Sequence, residues 1–174
     1  ARAQAPAPAA PQPRIRKTGE TTAVNELDGA DLVWVAAGPF LRGSKPGAPS
    51  DEQPQRTIEL DGYWIYKFPV TFGQYKKYLE ATGKTMPEKH WGQNMMLDKA
   101  ASEDAYPALI SWYEAADYAA WAAAALPTEA QWEKAARGTD GREYPWGNAW
   151  DPQKAVGFER TLESFQNGMF PVGS

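Results

Sequence analysis

Segment 126–138, LPTEAQWEKAARG, fixes both ends of one short helix and so limits what this chain can fold into. Thr128 and Gln131 have the spacing of a capping box, in which two side chains satisfy free backbone amides of the first helical turn. Pro127 keeps the residue before it out of helical conformation. Gly138 favours a left-handed stop. The segment therefore predicts a helix that lies between Thr128 and Gly138.

The interior of this helix has an apolar stripe and an ion pair. Trp132, Ala135 and Ala136 fall on one face, which predicts that the tryptophan is buried. Glu133 can pair with Arg137 one turn later. The structural roles of capping, packing, ion pairing and helix termination thus account for every residue type in the segment. None of them has to act as a nucleophile or a base.

Two further helices are predicted on similar grounds, at 72–82 and at 112–122. Each follows a residue that can cap the first turn, and apolar residues recur at helical spacing in both. The capping and stop residues are Thr71 and Gly83 for the first helix, and Ser111 with Glu114 for the second. Residues 84–107 have no sustained period and predict a long surface excursion of the kind that often carries function.

Strands are predicted before the first helix. In DLVWVAAGPFLRGS, two apolar runs flank a turn at 37–39, which indicates two strands that pair with each other. Alternating and aromatic residues in TIELDGYWIYKFPV predict more strand at 57–70. We therefore expect an α+β fold that begins near Leu32. Residues 1–28 are then a flexible Ala/Pro-rich arm, and residues 29–174 form one domain.

The composition of the chain excludes some kinds of function and disfavours others. The chain has no cysteine, which excludes disulfides, thiolate metal sites and a cysteine nucleophile among its 174 residues. A net charge of −4 gives no general attraction to nucleic acid. The longest apolar run, 118–126, is less than half of the roughly 20 residues that a membrane-spanning helix needs. The first residue is alanine in a small-residue segment, which favours export to a periplasm or cell surface over the alternative of an intracellular disordered tail.

Few side chains are candidates for chemistry, and we predict no catalytic or cofactor-binding residue. His90 is the only histidine, and no partner stands at ligand spacing, which favours a hydrogen-bonded packing role over a metal ligand. The adjacent carboxylates Asp51–Glu52 and Glu103–Asp104 fit solvated charge better than acid/base work or calcium binding. Glu114 and Glu129 lie in first helical turns, where carboxylates are stabilised without any catalytic role.

Aromatic and basic residues supply further candidates. Tyr63, Trp64, Tyr66 and Phe68 alternate along a predicted strand, so that one pair faces the core and the other pair has the arrangement of a ligand platform. The basic residues Arg14, Arg16 and Lys17 either hold the arm against an acidic partner or are solvated linker charges, the latter being favoured. Four aromatic residues are expected to be buried and to determine the fold: Phe72, Trp112, Trp132 and Trp146. Trp150 is expected to be a further core residue.

Six segments together resemble the formylglycine-generating enzyme family, also called the sulfatase-modifying-factor domain. They occur in the family's order and cover about residues 32–174. The resemblance implies that family's α+β fold, which is related to C-type lectins and has little regular secondary structure. In chain order, the segments are LVWVAAGPFLRGS, DEQPQRTIELDGYWIYKFPVTFGQYKKYLEATG, YPALISWYEAADYAAWA, LPTEAQWEKAARG, YPWGNAWDP and PVGS.

The sequence also departs from the family pattern. Family members continue past PVGS into a GNVWEW-like segment, and formylglycine generators then carry two copper-binding cysteines, so this chain corresponds to the N-terminal part of the domain. Ala123, Ala124 and Ala125 stand where the family has a Gly-Lys-Arg-like turn. Ala155–Val156 stands where many members have an Ala-Asn-Val-like step with a calcium ligand. The resemblance therefore implies copper only with a cysteine-bearing C-terminal part, and calcium is disfavoured.

Three functions follow as hypotheses. The first is a non-catalytic recognition or accessory module, exported and docked to a protein partner in a larger assembly. The second is a copper-dependent formylglycine-generating oxidase, or a related oxygen-using enzyme, whose active site lies outside these residues. The third is a lectin-like variable ligand-binding protein. The lack of cysteine favours the first and a non-enzymatic role for these residues.

Overall fold

A computed structural model of the chain describes residues 14–85, 104–155 and 170–173. Four short strands form one antiparallel sheet with the order β1-β2-β3-β6, and two more form an antiparallel pair, β4-β5. The strands are β1 (Ile15–Lys17), β2 (Thr22–Asn25), β3 (Asp31–Val35), β4 (Gly38–Arg42), β5 (Arg56–Leu60) and β6 (Tyr63–Tyr66). The predicted mixture of helices and strands is confirmed.

Two predictions about the strands are wrong. Ordered structure begins before Leu32, because β1 and β2 already pair within the segment that was expected to be a flexible arm. The strands on either side of the turn at 37–39 do not pair with each other. Both edges of β3 are occupied by β2 and β6, so β4 leaves the sheet at Gly38 and pairs with β5.

Three helices follow, α1 (Phe72–Thr82), α2 (Trp112–Trp121) and α3 (Glu129–Arg137). Each begins with a complete capping box, as the sequence predicts for α2 and α3. Gly83 ends α1 in the left-handed conformation, as predicted. Gly138 ends α3 with a φ of 71° and a ψ of −152°, so the predicted left-handed stop is wrong there although the positive φ still favours glycine.

The alanine run after α2 has an unusual backbone conformation. Ala123 has a φ of 53°, a left-handed value that costs energy for every residue except glycine. The glycine that the family pattern has in this segment is thus replaced by alanine at a position where the left-handed backbone favours glycine.

A cluster of buried apolar side chains lies between α1 and α2. It consists of Tyr75, Tyr78, Leu79, Tyr118 and Ala122, and Tyr66 of β6 packs against it. The tyrosine rings are 5.3 to 5.9 Å apart between centroids, the usual spacing of aromatic pairs. This cluster therefore joins the helices to the edge of the four-stranded sheet.

Several aromatic residues lie elsewhere than the sequence predicts. Trp112 is 67% exposed, Trp132 64% and Trp150 52%, so the prediction that they are buried is wrong. Phe72 and Trp146 are half-buried. The inward side of α3 carries Lys134, which is only 2% exposed. No helix in the described parts of the chain is long and apolar enough to cross a bilayer.

Candidate binding groove

A groove of about 990 Å³ separates helix α3 from the connection between β4 and β5. One wall is formed by residues 42–55, which include a 3₁₀ turn at Ser50–Glu52. The other wall comes from α3 and from the segment 141–148. A cavity of this size falls within the range of binding sites for small molecules and peptide segments.

An ion pair within α3 forms part of the groove lining. The Arg137 guanidinium contacts the Glu133 carboxylate at 2.6 Å, and both side chains are more than four-fifths buried. Arg137 also donates hydrogen bonds to the backbone carbonyls of Gly43 and Arg142, at 3.1 and 2.7 Å. The pairing that the sequence predicted is confirmed, and it connects three separate segments of the groove.

Gly43 is the point at which the two walls meet. Its amide donates to the Glu133 carboxylate at 2.8 Å. Its φ is 81°, and a Cβ at this position would lie 2.7 Å from the Glu52 carbonyl oxygen and 2.8 Å from that of Pro54. Only glycine fits there without a shift of the backbone.

Two further contacts fix α3 against the strands. The buried Lys134 ammonium donates to the carbonyls of Ala36 and Gly38, both at 2.8 Å. The Tyr63 hydroxyl donates to the Gln131 carbonyl at 2.5 Å, and burial raises the pKa of this tyrosine. With α3 held in this way, Trp132 on its outer side is presented to the groove and to solvent.

The groove lining carries more acidic than basic side chains. The acidic residues are Asp51, Glu52, Glu129, Glu133 and Glu143, and the basic residues are Arg42, Lys45 and Arg137. Besides the Arg137–Glu133 pair, Arg42 contacts Glu129 at 2.7 Å. Just beyond the groove, hydrogen bonds from Arg142 lower the pKa of Asp140 to about 2.

The sequence candidates are dispersed in the structure. Asp51 and Glu52 both line the groove, where Glu52 accepts a hydrogen bond from the Ser44 hydroxyl at 2.8 Å. Asp104 pairs with Lys76 at 2.7 Å, away from the groove. Glu114 completes the capping box of α2. His90, Glu103 and most of the predicted excursion at 84–107 lie outside the described residues.

The aromatic row does not form a shared platform. Trp64 packs on Trp34 of the neighbouring strand, with ring centroids 5.2 Å apart. The Tyr66 hydroxyl bonds to Asp28, and Phe68 lies beyond the end of β6, where the alternation stops. Among the basic candidates, Arg16 forms an exposed pair with Glu26 at 3.3 Å.

Sequence reasoning missed a buried carboxylate. Asp28 is 1% exposed and accepts hydrogen bonds from the hydroxyls of Tyr66 and Tyr118, at 2.5 and 2.6 Å, and from the Ala30 amide at 2.8 Å. Burial, followed by the hydrogen bond to Asp28, raises the pKa of both tyrosines. Because both carboxylate oxygens have partners in the fold, this group is structural.

The residues do not fit the copper that the family resemblance implies. The copper of formylglycine generators requires two cysteine thiolates, and this sequence has none. Within the described ranges, no group of three or more histidine and carboxylate residues is close enough to hold a metal ion. The calcium step at Ala155–Val156 lies only partly within the described residues.

Comparison with known proteins identifies the family. Residues 17–174 match the family model of the sulfatase-modifying factor enzyme 1-like domain. The chain belongs to this family. The match begins fifteen residues before Leu32, in agreement with the early strands.

Three similar proteins differ in the activity that their names state and in the share of their length that this chain covers. The formylglycine-generating enzyme of Thermomonospora curvata is 31% identical over 81% of this chain and 58% of its own length. The inactive C-alpha-formylglycine-generating enzyme 2 of Mus musculus is also 31% identical, over 82% of this chain and 56% of its own. The serine/threonine-protein kinase Pkn1 of Chlamydia trachomatis is 33% identical over 72% of this chain.

The chain spans 22% to 58% of the lengths of these three relatives. The solved structure of PvdO from Pseudomonas aeruginosa overlays on 64% of this chain and 44% of its own, with a TM-score of 0.44 and 23% identity.

Proposed function

We propose that these residues form a non-catalytic recognition module, whose groove beside α3 binds part of a protein partner. The observation that carries the proposal is an exposed aromatic side chain in the lining of an open groove. Trp132 is 64% exposed and lines a cavity of about 990 Å³. Exposed tryptophan is enriched where proteins bind one another, because it buries a large apolar area at little entropic cost.

The chemistry of the groove supports binding over catalysis. Its buried ion pair, Glu133 and Arg137, is committed to holding the walls together through Gly43. Nucleophilic catalysis requires an activated hydroxyl, thiol or amine next to a base. Ser44 is a hydroxyl in the lining, and it is bonded to the Glu52 carboxylate rather than to a histidine or lysine base.

A second candidate is an oxidase that makes formylglycine, which is favoured by the relative named as such in Thermomonospora curvata. Such an activity would require thiolates from outside these 174 residues, because the sequence contains no cysteine. A relative named as inactive is equally similar. Family membership alone is therefore compatible with either role.

An oxidase assay separates the two candidates. The whole protein, loaded with copper, is incubated with a cysteine-containing sulfatase peptide under oxygen, and the peptide is examined by mass spectrometry. We expect no conversion of cysteine to formylglycine. The Glu133→Gln variant removes the carboxylate that joins the groove walls. If it still converts cysteine to formylglycine, and if conversion stops when copper is removed, the oxidase is established and the recognition role is overturned.

Photocrosslinking tests recognition directly. A photoreactive phenylalanine is placed at residue 132, at 143 or, as a control on an exposed site away from the groove, at residue 20. We expect one discrete protein adduct from the two groove positions and none from the control. Identical adducts from all three positions, or no adduct from the groove, would contradict the proposal.

Export of the chain and a relation of its fold to C-type lectins are further parts of the proposal. The support for export is the Ala/Pro-rich beginning of the sequence. Fractionation of the native cells, followed by immunoblotting, tests it, and recovery of the protein in the cytosol alone would refute it. For the lectin relation, the support is the family resemblance and the mixture of short strands and helices.

A further inference from the structure

We infer that the groove binds an extended polypeptide segment bearing lysine or arginine side chains. The inference rests on the proposed recognition function and names the chemistry of the partner. Three observations carry it: the unpaired charges of the groove lining, their origin in separate segments of the chain, and an exposed indole in the same lining.

The first observation concerns charge balance. Arg42 and Arg137 are each neutralised by a glutamate of α3, at 2.7 and 2.6 Å. The remaining acidic residues in the lining are Asp51, Glu52 and Glu143, and none of them has a cationic partner among the described residues. Lys45 is the one basic residue of the described lining that is not in an ion pair. The groove therefore has an excess of negative charge, which favours a cationic ligand.

The second observation is the distribution of these carboxylates. Asp51 and Glu52 belong to the 3₁₀ turn between β4 and β5, whereas Glu143 belongs to the segment that follows α3. In the described parts of the chain they do not come together as a group that could hold a metal ion. Carboxylates that come from separate segments and do not form one group match separate cations, such as the side chains that alternate to opposite sides of an extended peptide.

The third observation is the position of Trp132. Its ring lines the same groove and is 64% exposed, so its face is accessible to a ligand. Lysine and arginine are the side chains whose charged groups bind an indole face favourably, and Trp is the strongest partner for this contact. A basic segment can thus pair with the carboxylates and also place a cation on the indole ring.

Fluorescence anisotropy with a defined probe tests the inference. The probe is a fluorescein-labelled peptide in which lysine alternates with alanine, and the matched control peptide has glutamine at every lysine. The whole protein is used, with thermal melting as the check that each variant is folded. We expect the lysine peptide to bind, the glutamine peptide not to bind, and added sodium chloride to weaken binding.

Three variants locate the binding site. Trp132→Ala should weaken binding roughly threefold, and the double variant Asp51→Asn with Glu143→Gln should weaken it roughly fivefold. Glu20→Gln, on an exposed site away from the groove, should leave binding unchanged. Equal binding of both peptides, or equal losses in the groove and control variants, would overturn the inference.

The two proposals fail in distinguishable ways. If the lysine peptide does not bind while residue 132 still gives a discrete crosslinked partner, the basic-segment inference is wrong and the recognition module stands. If the peptide does not bind and no groove crosslink forms, both are wrong.

Discussion

Among single residues, Lys134 contributes a contact that the sequence does not reveal. A lysine in a helix with charged neighbours is ordinarily solvated, and tryptophan is ordinarily the residue that packs inward. Here the order is reversed, because the backbone carbonyls of Ala36, between β3 and β4, and of Gly38, the first residue of β4, lie within reach of the ammonium group. Trp132, two residues earlier, is left on the outer side of α3.

Hydrophobicity alone predicts that loss of Trp132 destabilises the fold more than loss of Lys134. The structure predicts the reverse. Lys134→Ala leaves two carbonyls without their charged donor and should lower the free energy of unfolding by about 2–4 kcal/mol. Trp132→Ala should lower it by less than about 1 kcal/mol, because the side chain is mostly exposed. Urea unfolding of both variants measures the difference, and a greater loss for Trp132→Ala would show that α3 is rotated relative to this description.

Ala123 provides a test of backbone strain. Its φ of 53° is unfavourable for alanine and free for glycine, so Ala123→Gly should raise the free energy of unfolding by about 1 kcal/mol. The matched control is Ala120→Gly on the exposed side of α2, which should instead lower it by about 1 kcal/mol. Thermal unfolding of both variants measures the effects. Destabilisation by both glycines would contradict the left-handed conformation at 123.

At the level of secondary structure, helices were easier to predict from the sequence than strand partners. The capping residues of α2 and α3 are three residues apart, so the information that starts each helix is local. Strand pairing is decided by competition between distant segments. The β3 strand pairs with β6, some thirty residues later, instead of with the adjacent β4. No local signal distinguishes these outcomes.

The junction between β4 and the 3₁₀ turn should tolerate only glycine at residue 43. Gly43→Ala introduces a Cβ that meets two backbone oxygens, which cannot move as a side chain can. We expect a loss of about 2–4 kcal/mol in the free energy of unfolding, from backbone strain and overpacking together. Chemical denaturation measures the loss.

Gly47 is the matched control for that substitution. It also has a positive φ, of 106°, but nothing lies within 4 Å of the position a Cβ would take. Gly47→Ala should therefore cost only the backbone strain, about 1 kcal/mol. Equal losses at the two sites would mean that the close approach of the walls at Gly43 does not exist.

For the whole molecule, the candidate site could be predicted only in part. The carboxylates Asp51 and Glu52 and the pair Glu133–Arg137 were recognisable as charged residues in the sequence. That they line one groove depends on contacts across about ninety residues, such as the bond from Gly43 to Glu133. The same holds for Asp28, whose bond to Tyr118 also spans ninety residues. The sequence alone therefore does not show which carboxylates line the groove and which are buried in the fold.

The buried tyrosines make the stability of the whole molecule sensitive to alkali. Burial raises the pKa of Tyr75 from its ordinary value of 10.0 to about 12, and burial with the Asp28 hydrogen bond raises those of Tyr66 and Tyr118 further. The unfolded chain loses these protons near pH 10. The stability contributed by the neutral tyrosines is thus complete below pH 10, and it falls as the pH rises towards 12 and above.

An alkaline titration followed by tyrosinate absorbance and circular dichroism measures this dependence. We expect part of the tyrosine signal to titrate with the secondary structure intact, and the rest to appear together with unfolding. Tyr118→Phe should lower stability at neutral pH through the lost bond to Asp28, and it should also reduce the slope of stability against pH above 10 because one buried ionisation is removed. Ionisation of all eight tyrosines near pH 10 with the fold intact would refute a closed tyrosine core between the sheet and the first two helices.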